Sequence, residues 1–296
     1  MNASHLQWQS KLVLLLVLPW TAVSVLVLAR EWFAQQPAVA AWTLGLSVAL
    51  GLLAWGLRSA TPAAAPTGAI LCASLMFTMF DAPFRPWRTG LIPVLAVLVV
   101  TSLATRFGRR RKERLGMAEK PQGRGAAQVA ANLGMAALVM DPSVQSALID
   151  TYWLSRGTLV HNSTFVLGLA ALAEAAADTV SSEVGQVLGG TPRMITTLRR
   201  VEPGTDGGIT VAGTAAGILA AGLVALTGSF AFHLGPSMLF LSWAGGVFGL
   251  FFDSLLGATL ERAGWLNNDA VNFLSTASAV ACSLVLLAML PHAGVR

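Results

Sequence analysis

Long apolar runs recur along the whole chain, and they constrain its fold more than any other feature. A helix of roughly 20 apolar residues crosses a hydrocarbon core of about 30 Å. The clearest runs are 11–29, 38–57, 90–105, 163–180, 209–229, 237–256 and 271–290. Two weaker runs, shortened by Pro, Gly or polar residues, are 66–80 and 126–140. Because 55% of the 296 residues are hydrophobic and only 11% are charged, the sequence predicts an all-α, polytopic transmembrane helical bundle of roughly seven to nine spans.

One loop carries much of the positive charge. Its basic residues are Arg106, Arg109, Arg110, Arg111, Lys112, Arg114, Lys120 and Arg124. By the positive-inside rule this loop faces the cytoplasm, and the four preceding spans then place the N-terminus inside as well. A topogenic role is favoured over nucleic-acid binding, so no nucleic-acid partner is expected; residues 106–124 are suited instead to anionic lipid headgroups. We expect an integral protein of a bacterial-type inner membrane, with its functional site facing the cytoplasm.

Polar residues are distributed unevenly between two parts of the chain. Residues 1–105 are mostly Leu, Val, Ala and Trp, and they are predicted to form N-terminal scaffold spans. Residues 106–296 carry carboxylates, amides and Gly-rich loops, and they are predicted to form the catalytic membrane core with its cytoplasmic loops. Because no fixed-period repeat or long linker separates the parts, we expect one membrane domain.

A set of polar residues lies on one face near the end of the run 163–180. Glu174, Asp178 and Ser181 fall at i, i+4 and i+7, with small residues between them. A charged side chain deep in a membrane span costs about 2.5–3.5 kcal/mol, so such residues are functional by default. Ser181 and Glu183 are candidates for binding the substrate or its phosphate. Glu183 would lie on the opposite face of a straight helix and either follows a break or serves another partner. The alternative is a solvated helix end with ordinary surface carboxylates.

A third carboxylate follows a series of small residues in the run 237–256. Glycines at 245, 249 and 257 and the acid Asp253 recur at every fourth position, so this acid is expected to face a helix and not lipid. Carboxylate oxygens together with retained water suit Mg²⁺. We therefore predict that Glu174, Asp178 and Asp253 are the catalytic, metal-binding residues.

A Gly-rich loop precedes the run that starts at 209. The residues of this loop predicted to bind phosphate are Pro203, Gly204, Thr205, Gly207 and Gly208. Glycines allow successive N–H groups to point the same way, and a following helix N-terminus adds positive dipole. Three arginines that can neutralise phosphate charge precede it: Arg193, Arg199 and Arg200. The alternative is an ordinary Gly-rich turn before a helix, with no role in binding.

Two groups of amides are further candidates for substrate binding. Arg124, Gln128 and Asn132 form an i, i+4, i+8 face, for which incidental polar positions are an equal alternative. The second group is Asn267, Asn268 and Asn272. Amides there can bind a base, a ribose or a phosphate, although helix capping is the alternative for the residues around 267–269.

Five sequence blocks together carry a family resemblance. They are AEAAADTVSSEVG (173–185), PGTDGG and the residues after it (203–214), DSLLGAT (253–259), NND (267–269) with Asn272, and Gln128 with Asn132. In this order they resemble the integral membrane family that includes plant phytyl-phosphate kinase and vertebrate transmembrane protein 19. The resemblance covers most of 120–290, whereas residues 1–105 match only in hydrophobic character.

The resemblance implies an enzyme that transfers the γ-phosphoryl group of a nucleoside triphosphate, with CTP favoured, to an isoprenyl monophosphate. Mg²⁺, the nucleotide, an isoprenyl phosphate and the lipid bilayer are then the expected cofactors and partners. Two phosphorylated substrates need Mg²⁺, basic residues and backbone donors to gather their charge. Two alternatives remain, a cytidylyltransferase that forms a CDP-lipid and an ion-coupled transporter.

Overall fold

The computed structural model describes residues 6–78, 83–114, 116–117, 123–150 and 160–289, which form a helical bundle with one small β-hairpin. The helices are α1 (Gln7–Gln35), α2 (Pro37–Gly56), α3 (Ala64–Phe77), α4 (Leu91–Arg106), α5 (Arg109–Arg114), α6 (Ala126–Val139), α7 (Pro142–Asp150), α8 (Val160–Leu188), α9 (Val211–Ala231), α10 (Pro236–Leu256) and α11 (Asn268–Met289). A π turn, Gly257–Glu261, extends α10. The hairpin pairs β1 (Arg193–Met194) with β2 (Gly208–Ile209).

Each predicted apolar run is helical over most of its described residues, although the run 209–229 begins on strand β2 and becomes helical at 211. The prediction of a polytopic helical membrane protein is confirmed. Among the described residues, six helices are long and apolar enough to cross a membrane, and three apolar helices are shorter. The short ones, α3, α4 and α6, have 14 or 16 residues, or about 21–24 Å of rise. The run 90–105 thus belongs with the short helices. Residues 79–80 and 290, at the ends of two predicted spans, lie outside the described residues, as do 115 and 118–122 of the basic loop.

Helix α8 is the centre of the bundle. In the most apolar 18-residue stretch of α8, 89% of the residues are buried, whereas in that of α1 only 28% are buried. The outer face of α1 exposes large apolar side chains such as Leu15 and Leu26, each about two-thirds exposed or more. Exposed apolar surface of this extent matches a helix that borders lipid. Glu174 and Glu183 of α8 therefore lie inside the protein, shielded by the surrounding helices.

Small residues allow the helices around α8 to approach it closely. A Cβ at Gly217 of α9 would lie 2.7 Å from the carbonyl oxygen of Ala177, and Gly249 of α10 borders the side chain of Glu174. Such contacts are typical of membrane helices, whose association depends on close van der Waals packing. They confirm that the four-residue glycine spacing serves helix packing.

Several connections gather at one end of the bundle. The side chain of Asn267, just before α11, donates to the carbonyl oxygen of Leu6 at the start of α1 (2.9 Å). Just before α6, the N–H of Arg124 donates to the carbonyl oxygen of Ser59 (3.2 Å). Helices α6 and α11 pack side by side and begin at this same end. We call it the polar end, and the basic helix α5 lies there too, next to the C-terminal part of α8.

Candidate functional site

Two carboxyl groups from neighbouring helices face each other near the polar end. Asp178 on α8 and Asp253 on α10 lie within hydrogen-bonding range of one another. Glu174, one turn before Asp178, is 1% exposed and contacts the hydroxyl of Ser275 on α11. These residues form what we call the carboxylate cluster: Glu174, Asp178 and Asp253. The structure therefore brings together the three acids predicted from sequence, where α8, α10 and α11 meet.

Two oxygens of the carboxylate cluster have no hydrogen-bond partner. Within the described part of the chain, Glu174 Oε1 and Asp253 Oδ1 are shielded from solvent and unpaired. Carboxylates this close together need a compensating charge, such as a shared proton or a bound cation. The oxygens fit Mg²⁺, which is held through one or two carboxylates and keeps several waters.

A bound cation would also need enough protein ligands around it. Across the described ranges, no group of three or more His, Cys, Asp or Glu side chains is placed to hold a metal ion. Within the carboxylate cluster, Asp178 and Asp253 lie within hydrogen-bonding range, and Glu174 interacts electrostatically with both. Coordination by all three acids at once stays a prediction.

A guanidinium and several amides lie beside the carboxylate cluster. The positive charge of Arg124 interacts electrostatically with the carboxylate of Asp178. On the next helix, Asn272 Nδ2 donates to Asn132 Oδ1 at 3.1 Å, and both side chains are buried. Gln128 is half-buried on α6, one turn before Asn132. The residue before α6 that acts on Asp178, and the amide pair that joins α6 to α11, thus lie at the same end of the bundle as the carboxylate cluster.

Two predicted residues near the end of α8 have other partners. Ser181 packs against α9, where a Cβ at Gly217 would lie 2.9 Å from its own Cβ. Glu183 Oε2 accepts a hydrogen bond from Lys112 Nζ at 2.5 Å, and the Lys112 side chain is 1% exposed. The separate partner expected for Glu183 is therefore a lysine of the basic loop.

The loop between α8 and α9 folds into the β-hairpin. Arg193 pairs with Ile209 and Met194 with Gly208, and a further bridge links Arg193 to Arg200. The three arginines predicted to neutralise phosphate have exposed side chains: Arg193, Arg199 and Arg200. They lie on this hairpin, at the surface of the polar end.

The Gly-rich turn of the hairpin uses part of its backbone for its own hydrogen bonds. The N–H of Thr205 donates to the carbonyl oxygen of Glu202 (3.2 Å), and that of Gly208 donates to the carbonyl oxygen of Thr205 (2.9 Å). Pro203 is exposed at the start of the turn. Two backbone N–H groups expected to bind phosphate are therefore hydrogen-bonded within the turn, as in an ordinary turn that precedes a helix.

The glycines of this turn also have structural reasons. Gly204 and Gly207 have φ values of +83° and +74°, which glycine adopts without strain. The α-carbon of Gly207 also packs against the backbone of Ala258 in the π turn, leaving no room for a side chain. The turn is thereby held against Ala258 in the π turn that extends α10. Ala258 is five positions after Asp253 in the chain.

We expect Gly207→Ala to destabilise the protein by about 2–3 kcal/mol, because it combines positive-φ strain with overlap against Ala258. The matched control is Gly190→Ala, where φ is +64° but nothing lies within 4 Å of the added Cβ. The control should lose only about 1 kcal/mol. Thermal unfolding of the purified variants in detergent measures both; equal losses would contradict the packing of the turn on α10.

The amides at the start of α11 divide between two roles. Asn267 Oδ1 accepts from the N–H of Ala270 (2.9 Å), and Asn267 Nδ2 also donates to Ser10 Oγ (3.0 Å). The capping alternative therefore describes Asn267, which in addition ties α11 to α1. Asn268 is exposed at the first position of α11. Of these three asparagines, Asn272 is the one that pairs with the predicted amide of α6, Asn132.

A fourth acid, not predicted from the sequence, lies near the carboxylate cluster. Glu261, in the π turn, interacts electrostatically with Asp178 and Asp253, and with Asp206 of the Gly-rich turn. Partial desolvation raises the pKa of the Asp206 carboxyl, and the guanidinium of Arg262 opposes that rise. The four-residue series at 245, 249, 253 and 257 continues to 261, and this spacing was the available signal.

Comparison with known proteins identifies the family. The family described as Integral membrane protein DUF92 matches residues 45–280. The chain belongs to this family. The match includes α3 and α4 and most of α2, so it extends the resemblance seen in 120–290 into the N-terminal helices. No solved structure matches the chain significantly.

Relatives of this DUF92 chain occur in archaea, cyanobacteria and plants. An uncharacterized membrane protein of Methanocaldococcus jannaschii is 45% identical over 36% of this chain and 45% of its own length. An uncharacterized membrane protein of Synechocystis sp. is 30% identical over 88% of both chains. Protein VTE6, chloroplastic, of Arabidopsis thaliana is 30% identical over 69% of this chain and 62% of its own length. These similarities confirm the predicted family.

Proposed function

We propose that this DUF92 protein is a membrane kinase that transfers a nucleotide phosphoryl group to an isoprenyl monophosphate and forms the diphosphate. The observation that carries the proposal is the carboxylate cluster, in which Asp178 and Asp253 from two helices face each other beside Arg124. Buried acids with unpaired oxygens are costly to maintain inside a membrane bundle unless they serve a function. The family resemblance to plant phytyl-phosphate kinase supplies the substrate class.

The residues of the site have separate roles in this reaction. Asp178 and Asp253 would hold Mg²⁺, with Glu174 beside them, and the cation supplies charge neutralisation for the nucleotide phosphates. Arg124 neutralises the acceptor phosphate. An oxygen of that phosphate forms a bond to the γ-phosphorus as the bond to the β,γ-bridging oxygen breaks, and the nucleoside diphosphate leaves. Because the acceptor is already an anion, the reaction needs no strong general base.

The proposed site faces the cytoplasm. The polar end carries the start of α1, the basic helix α5 and the hairpin with its three exposed arginines. Positive residues are retained on the cytoplasmic side of membrane spans, which gives this orientation in a bacterial-type inner membrane. Nucleoside triphosphates are then directly accessible to the site, while the acceptor arrives from the bilayer.

One assay separates this function from its rivals. The purified protein is incubated with Mg²⁺, each nucleoside triphosphate in turn and a panel of prenyl phosphates, and the products are identified by mass. We expect a prenyl diphosphate and a nucleoside diphosphate, with CTP as the preferred donor. Pyrophosphate with a CDP-lipid would identify a cytidylyltransferase instead. Ion-dependent uptake into proteoliposomes without phosphoryl transfer would identify a transporter.

A further inference from the structure

An apolar cavity lies among the N-terminal helices, close to the carboxylate cluster. It is enclosed by α2, α3, α4 and α6, and Ala175 of α8 completes one wall. Its volume is about 80 Å³, and it is partly open. Apolar lining residues include Leu50, Val97, Leu98 and Leu133.

One region of the cavity wall is polar and adjoins the proposed reaction centre. Arg124, Asn132 and Thr101 line it, and Arg124 Nη1 donates to Thr101 Oγ1 at 3.0 Å. The charge of Arg124 also acts on Asp178. The cavity therefore has apolar walls and a cationic group at the boundary with the carboxylate cluster.

We propose that this cavity binds the isoprenoid tail of the acceptor, with the acceptor phosphate at Arg124. The inference rests on the proposed function and deepens it by assigning the acceptor subsite. Charge complementarity selects an anionic headgroup at Arg124, and the apolar walls select a hydrocarbon tail. A single branched chain can enter a narrow, partly open cavity, whereas a diacyl phospholipid would need room for two chains. Helices α2, α3 and α4 then select the acceptor, beyond their expected scaffold role.

A side chain at Gly68 of α3 tests the tail subsite. The nearest atom to a Cβ added at Gly68 is Val129 Cγ1, at 3.8 Å, so Gly68→Leu fits the helix and fills part of the cavity. The matched control is Gly45→Leu on α2, an exposed position with nothing within 4 Å. Both changes replace a helical glycine by a good helix former, so a shared gain in helix propensity cancels between them.

The measurement is displacement of radiolabelled geranylgeranyl phosphate from the purified full chain, without nucleotide. Gly68→Leu should weaken binding by about 10-fold or more, because the excluded methylenes lose their burial. It should weaken binding of the shorter dimethylallyl phosphate much less. The affinity of Gly45→Leu for both ligands should stay within about twofold of wild type. Equal binding by Gly68→Leu and wild type would overturn the tail subsite. Displacement by phosphatidylglycerol that is equally sensitive to Gly68→Leu would overturn it too, because the occupant would then be a bilayer lipid.

A second variant tests where the phosphate lies. Arg124→Gln should weaken binding of geranylgeranyl phosphate by about 10-fold or more, because it removes a charged hydrogen-bond donor. Competition by geranylgeraniol, which has no phosphate, should be nearly unchanged. Equal losses for the phosphate and the alcohol would remove Arg124 from the subsite.

The same variants distinguish failure of the subsite from failure of the function. Sensitive binding without any phosphoryl transfer by the wild type would support the subsite and defeat the kinase proposal. Phosphoryl transfer whose KM for geranylgeranyl phosphate is unchanged in Gly68→Leu would support the kinase and overturn the subsite.

Discussion

Asp178→Asn and Asp253→Asn should each insert and fold normally, yet lose phosphoryl transfer by about 10²-fold or more. Each change keeps the side-chain shape and removes the charge proposed to hold Mg²⁺ between the substrates. Loss of one group that stabilises transferring phosphate typically costs several kcal/mol of transition-state stabilisation. Initial rates of prenyl diphosphate formation at saturating nucleotide measure the effect, and size-exclusion profiles in detergent report folding.

Two further variants give this experiment its controls. Glu202→Gln removes an exposed carboxylate of the hairpin loop and should keep near-normal turnover. The Asp178→Asn, Asp253→Asn double variant should be little worse than either single one, because residues that serve one cation act as a unit. Near-normal rates in both single variants, or losses that simply multiply in the double variant, would remove the shared-cation site.

Lys112→Met should destabilise the protein by about 3–5 kcal/mol, although it changes one residue of a loop with many positive charges. The Lys112 ammonium is buried, where it donates to Glu183 and to the carbonyl oxygens of Ala104 and Thr105 at the end of α4. Removing one partner of a buried ion pair leaves the other charge without compensation. Thermal unfolding in detergent measures the loss.

The control for this variant is a second ion pair of the same helix. Arg109 and Glu113 pair at 2.8 Å with both side chains about half exposed, so Arg109→Met should cost at most about 1 kcal/mol. The double variant Lys112→Met, Glu183→Gln should recover much of the stability, because no unpaired charge remains. Similar losses in Lys112→Met and Arg109→Met would contradict a buried structural pair.

The sequence determined that this chain is a bundle of membrane helices. A run of about 20 apolar residues has few ways to satisfy its backbone in lipid other than a helix, so each predicted run is helical over most of its described residues. The i, i+4 spacing also placed Glu174 and Asp178 on one face of α8 in advance, since helical periodicity is local. The capping role of Asn267 was likewise one of the alternatives that the local sequence offered, because asparagine is a common helix N-cap.

The tertiary structure alone decided which faces meet. In a membrane protein the surfaces toward lipid and toward other helices are both apolar, so hydropathy fixes where helices lie but not how they are rotated. That Asp178 faces Asp253, that Lys112 turns inward to Glu183, and that the N-terminal helices enclose a cavity beside Arg124 all depend on rotation and packing. The two side-chain pairs join residues 75 and 71 positions apart in the chain, and only the packing around α8 brings them together.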